Sequence, residues 1–177
     1  MADRAFFDRA GWLLRRLLLA LLVALALSVV ARQFVDGGGG GGASTASPTP
    51  PRAGQDHWHA IYQVFVCGER QPPFPFWEGG VHTHDDGVIH IHPLIPSEEG
   101  EGARLVKWFE YGGGELTQSE MRMPGQRDRF ANGDRCPDGA EGVLQVYVNG
   151  ERLDDWSRYI PQDGDRVGID FGPEQSD

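Results

Sequence analysis

The histidines are the residues of this sequence whose type and spacing could do chemistry. All six are arranged in pairs separated by one residue: His57 and His59, His82 and His84, and His90 and His92. In an extended strand, side chains two positions apart point to the same face. Neutral imidazole is a good ligand for zinc, copper, nickel and iron. Each pair could therefore grip one ion, and the sequence predicts a metal site.

Two of the three pairs flank a predicted β-hairpin turn in residues 80–93. A two-residue turn would place these two pairs on opposite sides of the ribbon. A three-residue loop, 85–87 with Gly87 in the left-handed conformation, places His82 opposite His90 and brings the four rings to one face. We favour the three-residue loop on the functional argument that the other register would separate the pairs. The predicted core ligands are then His82, His84, His90 and His92.

The remaining ligands and the kind of site stay open at this stage. His57 and His59 are either a third arm of the same site or a second site. A closed four-ligand site could use Asp56, Asp85 or Asp86, whereas an open three-histidine site could catalyse or sense. Zinc and copper are both compatible with the histidines, and no Met-rich stretch argues for Cu(I). Without a metal, the histidines would form a hydrogen-bonding or pH-responsive face.

No catalytic residue can be assigned from the sequence. It lacks a Gly-x-Ser-x-Gly elbow, a His-Glu-x-x-His helix and a Gly-rich phosphate loop. Whether the protein is an enzyme is therefore left undecided.

A strand predicted at residues 56–67 must position the first histidine pair. Its residues alternate between a uniformly apolar face and a mixed face that carries His57 and His59. The apolar face is predicted to pack on the core and consists of Trp58, Ala60, Tyr62, Val64 and Val66.

The rest of the domain reads as strands with one helix. Residues 103–111 predict a short helix, and residues 112–142 predict a long loop with at most one short strand. Strands are again expected from residue 143, with a tight turn at Asn149-Gly150 and a last strand at 167–171. The predicted fold class is α+β, with a small mixed or antiparallel sheet, β-hairpins and one short helix, preceded by an N-terminal hydrophobic helix.

The compartment is predicted from the N-terminus. Residues 17–31 are uncharged and apolar, and four arginines precede them. Positive charge before such a segment keeps the N-terminus in the cytoplasm and directs the remainder across the membrane. We favour an uncleaved single-pass anchor over a signal peptide cleaved near Ala31, and either leaves the domain outside the cytoplasm. The predicted organisation is a basic cytoplasmic region, an anchor or signal segment, a Gly/Ser/Pro-rich linker and a His-rich domain, at residues 1–16, 17–35, 36–54 and 55–177.

Charge and cysteine content agree with an exported domain. The chain has a net charge of −10, and the acidic excess lies after residue 52, which disfavours binding to nucleic acid. Its two cysteines, Cys67 and Cys136, do not form a Cys-x-x-Cys motif. In an oxidising compartment a disulfide between them is expected.

Two segments resemble known families. Residues 56–60 (DHWHA) and 82–93 (HTHDDGVIHIHP) are similar to motifs of an uncharacterised bacterial family, mostly actinobacterial, of single-pass or secreted proteins. That resemblance supports a site but implies no activity. Residues 143–171 are weakly similar to the ends of β-grasp domains, without the terminal Gly-Gly of sulfur carriers.

Together these observations predict a membrane-tethered, extracytoplasmic domain that binds zinc or copper. The alternatives are a metalloenzyme with an open three-histidine site and a structural or interaction module of an envelope complex. The membrane is the one partner predicted, through the N-terminal segment, and no protein partner can be named.

Overall fold

A computed structural model describes residues 50–175 of the chain. The predicted anchor or signal segment and most of the predicted linker lie outside these residues. Between residues 50 and 175, no helix is long and apolar enough to cross a membrane. The end of the predicted linker is bonded to the folded part, because the Gly54 amide donates to the Pro93 carbonyl and the Ala53 amide to the Glu99 carboxylate.

The described residues form mostly sheet with one α-helix, which confirms the α+β class. The strands are β1 (Trp58–Val66), β2 (Glu69–Arg70), β3 (Val81–His82), β4 (Val88–Ile91), β5 (Glu115–Leu116), β6 (Glu120–Arg122), β7 (Arg129–Ala131), β8 (Val143–Val148), β9 (Glu151–Arg152) and β10 (Arg166–Gly172). Helix α1 spans Leu105–Tyr111 and follows two 3-10 turns, Pro96–Glu98 and Gly100–Ala103.

The main sheet is mixed, with the order β3-β4-β1-β10-β8-β9 and with β2 paired to the end of β1. Strands β1 and β10 run parallel at its centre, whereas the other pairs in this sheet are antiparallel. The first and last long strands of the domain are therefore neighbours. The β-grasp similarity of the tail stays a prediction.

A second sheet lies where the sequence predicts a long loop. Strands β5, β6 and β7 form a three-stranded antiparallel sheet, so the expectation of at most one short strand in residues 112–142 is wrong. Each strand has two or three residues, which is too short to show a period in sequence. Leu116, Met121 and Met123 are buried, and it is their burial that holds these strands in place.

The core lies between one face of the main sheet and helix α1. The predicted apolar face of β1 is confirmed at its centre, where Ala60, Tyr62 and Val64 are at most 3% exposed. Trp108 of α1 is fully buried, with its ring centroid 4.7 Å from that of Tyr62. Burying large aromatic side chains is the main favourable term in a domain of this size.

The predicted disulfide is present. Cys67 follows β1, and Cys136 lies between β7 and β8, with the two Cα atoms 5.6 Å apart. Phe130 of β7 also packs against Phe171 of β10, with ring centroids 5.4 Å apart. The bond thus joins the central strand of the main sheet to the segment that follows the small sheet.

Replacing both cysteines by alanine should lower the stability of the domain by about 4 kcal/mol, because the bond closes a loop of 69 residues in the unfolded chain. Urea unfolding of the oxidised protein and the double variant would measure the difference. The oxidised protein treated with a reductant is the matched control and should lose a similar amount. A loss below about 1 kcal/mol in both would show that the bond does not constrain the unfolded chain.

Candidate metal centre

The three His-x-His pairs lie on three adjacent strands or their extensions. Strand β4 pairs with β3 on one side, with His82 opposite His90, and with β1 on the other, with His59 opposite His90. Ile89 and Ile91 of β4 are fully buried in the core. His90 lies between them and His92 follows, so both imidazoles occupy the opposite face of the sheet. The imidazoles therefore form one cluster on the outer face.

The register of the hairpin is the one that the three-residue loop predicts. Val81 pairs with Ile91, and Gly87 has a positive φ of 76°. The loop itself is wider than predicted, since the ladder between β3 and β4 ends at the pair of His82 and His90, and Val88 pairs with Ile61 of β1 instead. The four rings of the hairpin nevertheless meet, with centroid separations of 4.6–5.3 Å among the contacting pairs.

Asp86 organises this wider loop. Its carboxylate accepts hydrogen bonds from the backbone amide of Val88 at 3.0 Å and the hydroxyl of Thr83 at 3.3 Å. It also lies 2.9 Å from Nε2 of His90. The backbone and hydroxyl bonds replace ladder bonds that a tighter turn would make, and the contact with Nε2 ties the His90 ring to the loop.

The short strand β3 is held by tryptophans from the core side. Nε1 of Trp77 donates to the carbonyl of Val81 at 3.0 Å, and Nε1 of Trp108 donates to the carbonyl of His82 at 3.2 Å. The Gly80 carbonyl faces β4 and accepts a hydrogen bond from the His92 amide. The Val81 carbonyl therefore points away from β4, and the Trp77 indole supplies the partner that this group of an edge strand would otherwise lack. Core packing and the position of His82 are thereby coupled.

The base of the hairpin is fixed by a close backbone approach. The Glu98 carboxylate accepts hydrogen bonds from the amides of Gly80 and Leu94, at 2.9 and 2.7 Å. A Cβ atom on Gly80 would lie 2.7 Å from the carbonyl oxygen of His92. Glycine is required here because any side chain would push the two strands apart.

Two groups of three histidines bring one ring nitrogen each to within 4.8 Å of one another. We call His82, His84 and His90 the inner triad, and His57, His59 and His90 the outer triad. In the inner triad, Nε2 of His82 and Nε2 of His84 are 2.9 Å apart. Bonds of 2.0–2.1 Å in a tetrahedral zinc site separate two nitrogens by about 3.3 Å, so small ring rotations would accommodate an ion.

The two triads differ in exposure. His57 and His59 are exposed, whereas His82 is only 4% exposed. Phe76 lies beside the inner triad, with its ring stacked on that of His84 at 5.6 Å and 6.3 Å from that of His82, while His84 is exposed. Nδ1 of His82 is buried without a hydrogen-bond partner among the described residues. A buried nitrogen without a partner is costly, and Nε2, the other nitrogen of this ring, is the one that faces His84.

Burial and the neighbouring imidazoles lower the pKa of His82 to about 4. Burial also lowers the pKa of His92, and the nearby His57 adds to the effect. For Asp86, burial acts to raise the pKa, but the hydrogen bonds from His90 and Val88 outweigh it and lower the pKa to about 2. At neutral pH the site thus holds a neutral His82 and one carboxylate, the protonation state that metal ligation needs.

Not all of the predicted metal ligands belong to a triad. Five of the six histidines belong to a triad, and His92 does not, although its ring contacts those of His57 at 4.9 Å and His82 at 4.7 Å. Asp56 is turned to Arg52, whose hydrogen bond lowers the pKa of that carboxyl. No spacing signal in the sequence marks Phe76, and Glu98 belongs to an acidic, Gly-containing stretch that is typical of solvated surface.

With metal removed by a chelator, the domain should lose stability on acidification. Between pH 6.5 and 4 the unfolded chain protonates His82 and the native state does not, so the free energy of unfolding should fall by about 3 kcal/mol. Urea unfolding across this range would measure the slope. His82→Gln should remove most of this contribution, and His57→Gln, which changes an exposed histidine, should keep it. Equal slopes in all three proteins would contradict the assignment.

Comparison of the chain with protein-family models, with curated proteins and with solved structures finds no significant match. The resemblance to a bacterial family therefore stays a prediction.

Proposed function

We propose that this protein is a membrane-tethered, extracytoplasmic domain that binds zinc or copper through its paired histidines. The observation that carries the proposal is the convergence of two histidine triads, each with ligand atoms within 4.8 Å, on one face of β3, β4 and β1. Imidazole nitrogens on adjacent strands are a donor set that suits both metals.

Two independent features support an extracytoplasmic compartment. The disulfide between Cys67 and Cys136 is typical of proteins that fold in an oxidising environment. The arginines before the apolar segment 17–31 favour export of everything after it. An exported domain meets metal ions that are less strictly controlled than those of the cytoplasm, and an acidic surface attracts them.

Binding is favoured over catalysis by the shape of the site. Three histidines leave a fourth position on the ion for water, and Asp86 could act as a base, as a metalloenzyme requires. However, the cluster lies on an outer sheet face with three exposed histidines. Two cavities in the described part, of about 580 and 290 Å³, lie beside the disulfide and beside Trp156, and no histidine lines either.

The purified full-length chain, prepared without a metal-affinity tag and desalted, should contain close to one equivalent of zinc or copper by mass spectrometry. His82→Ala/His84→Ala should retain less than about a tenth of an equivalent, because it removes two ligands of the more buried triad. The control Glu69→Ala/Arg70→Ala truncates two exposed side chains of β2 and should keep its metal. A wild-type protein that takes up no zinc or copper on titration would refute the proposal.

Removing the metal should leave the domain folded at 25 °C, because its aromatic core and disulfide lie away from the histidine face. Near-ultraviolet circular dichroism before and after treatment with a chelator would test this. An unchanged aromatic signal supports a domain that binds and releases its ion. Loss of the signal would favour the alternative in which the histidines form a purely structural site that stabilises the fold.

A further inference from the structure

Building on the proposed function, we propose that the domain holds one metal ion at a time in either of two positions that share His90. The outer triad is the position that loads the ion from solvent, and the inner triad is the position that retains it. The cluster is then a short transfer path.

The sharing of His90 makes the two positions mutually exclusive. An imidazole has two nitrogens, and Asp86 holds Nε2 of His90 at 2.9 Å. While that hydrogen bond persists, one nitrogen of His90 is left for a metal. Both triads include this residue, so a second ion would lack its third histidine.

The difference in exposure gives the path a direction. The outer triad has two exposed histidines, His57 and His59, whereas the inner triad has one, His84. The third ligand of the inner triad that the outer triad does not share is His82, which is only 4% exposed. Water competes less for an ion that is bound to a buried ligand such as His82. The inner position should therefore bind more tightly and release more slowly.

Ring contacts connect the two positions without a gap. His90 contacts His59 at 4.9 Å on one side and His84 at 4.6 Å on the other. His92 makes a second link, because its ring contacts one member of each triad, His57 and His82. In the transfer, the metal–nitrogen bonds to His57 and His59 break as those to His82 and His84 form, while the His90 ring turns and stays bound. The hydrogen between Nε2 of His82 and Nε2 of His84 moves, through water, to Nδ1 of the imidazole that carries it, which frees both Nε2 atoms for the ion. No net proton or electron is exchanged.

Cobalt(II) is the probe for this inference, because its visible absorption reports coordination by imidazole. The full-length wild-type chain, titrated with excess Co²⁺ after removal of its metal, should bind one equivalent. His57→Gln/His59→Gln should also bind one equivalent with nearly unchanged affinity, but its uptake of Co²⁺ in stopped-flow mixing should be about tenfold slower. The variant alters two exposed side chains, so its fold should be retained.

The opposite pair should give the opposite result. His82→Gln/His84→Gln should take up one equivalent of Co²⁺ rapidly, with affinity lowered at least about tenfold, so that it loses the ion on desalting. His90→Gln should weaken binding at both positions. The exposed β2 variant Glu69→Ala/Arg70→Ala is the control and should match the wild type in rate and affinity.

Two results would overturn the inference while leaving the proposed function intact. One is binding of two equivalents by the wild type, and the other is an unchanged rate of uptake after loss of the outer pair. A wild-type chain that binds no Co²⁺, Zn²⁺ or Cu²⁺ would instead refute the proposed function itself.

Discussion

The pairing of β4 between β1 and β3 is the constraint on which the rest of this structure depends. The observed register places Ala60, Ile89 and Ile91 in the core and the imidazoles on the other face of the sheet. Side chains alternate with a period of two, so a slip of one residue would bury the histidines and expose the isoleucines. The large free-energy cost of that exchange fixes the register, and it aligns the ligands as a consequence.

The core supports the site through hydrogen bonds as well as burial. Strand β3 has only two residues, too few to be stable by its own pairing. The indoles of Trp77 and Trp108 bond its carbonyls, and Trp108 is itself packed against Tyr62 and Phe74. The most buried ligand therefore sits on the strand that the aromatic core holds most directly.

The histidine face combines features that are unfavourable for stability alone. It crowds six imidazoles together, buries one nitrogen of His82 without a partner, and lowers the pKa of that ring to about 4. Asp86 offsets part of this cost by bonding to His90 and to the loop backbone. Groups with strongly shifted pKa values are commonly found at functional sites.

Local pattern determined much of this protein. The alternation in residues 56–67 identified both faces of β1, and two cysteines allowed one intramolecular pair. The turn residues at 85–87 allowed two hairpin registers, and the spacing of the histidine pairs favoured the one that is observed. These predictions were possible because side-chain direction in a strand follows from spacing along the chain.

Only the tertiary structure decided which strands are neighbours. The pairing of β1 with β4 brings His57 and His59 next to the two histidine pairs of the hairpin, and it makes His90 a member of both triads. Contacts between distant segments also decide the burial of His82 and its ring contact with Phe76. The small sheet of β5, β6 and β7 depends on such contacts as well. Such contacts are selected by the packing of the whole core, and short stretches of sequence carry no periodic signal for them.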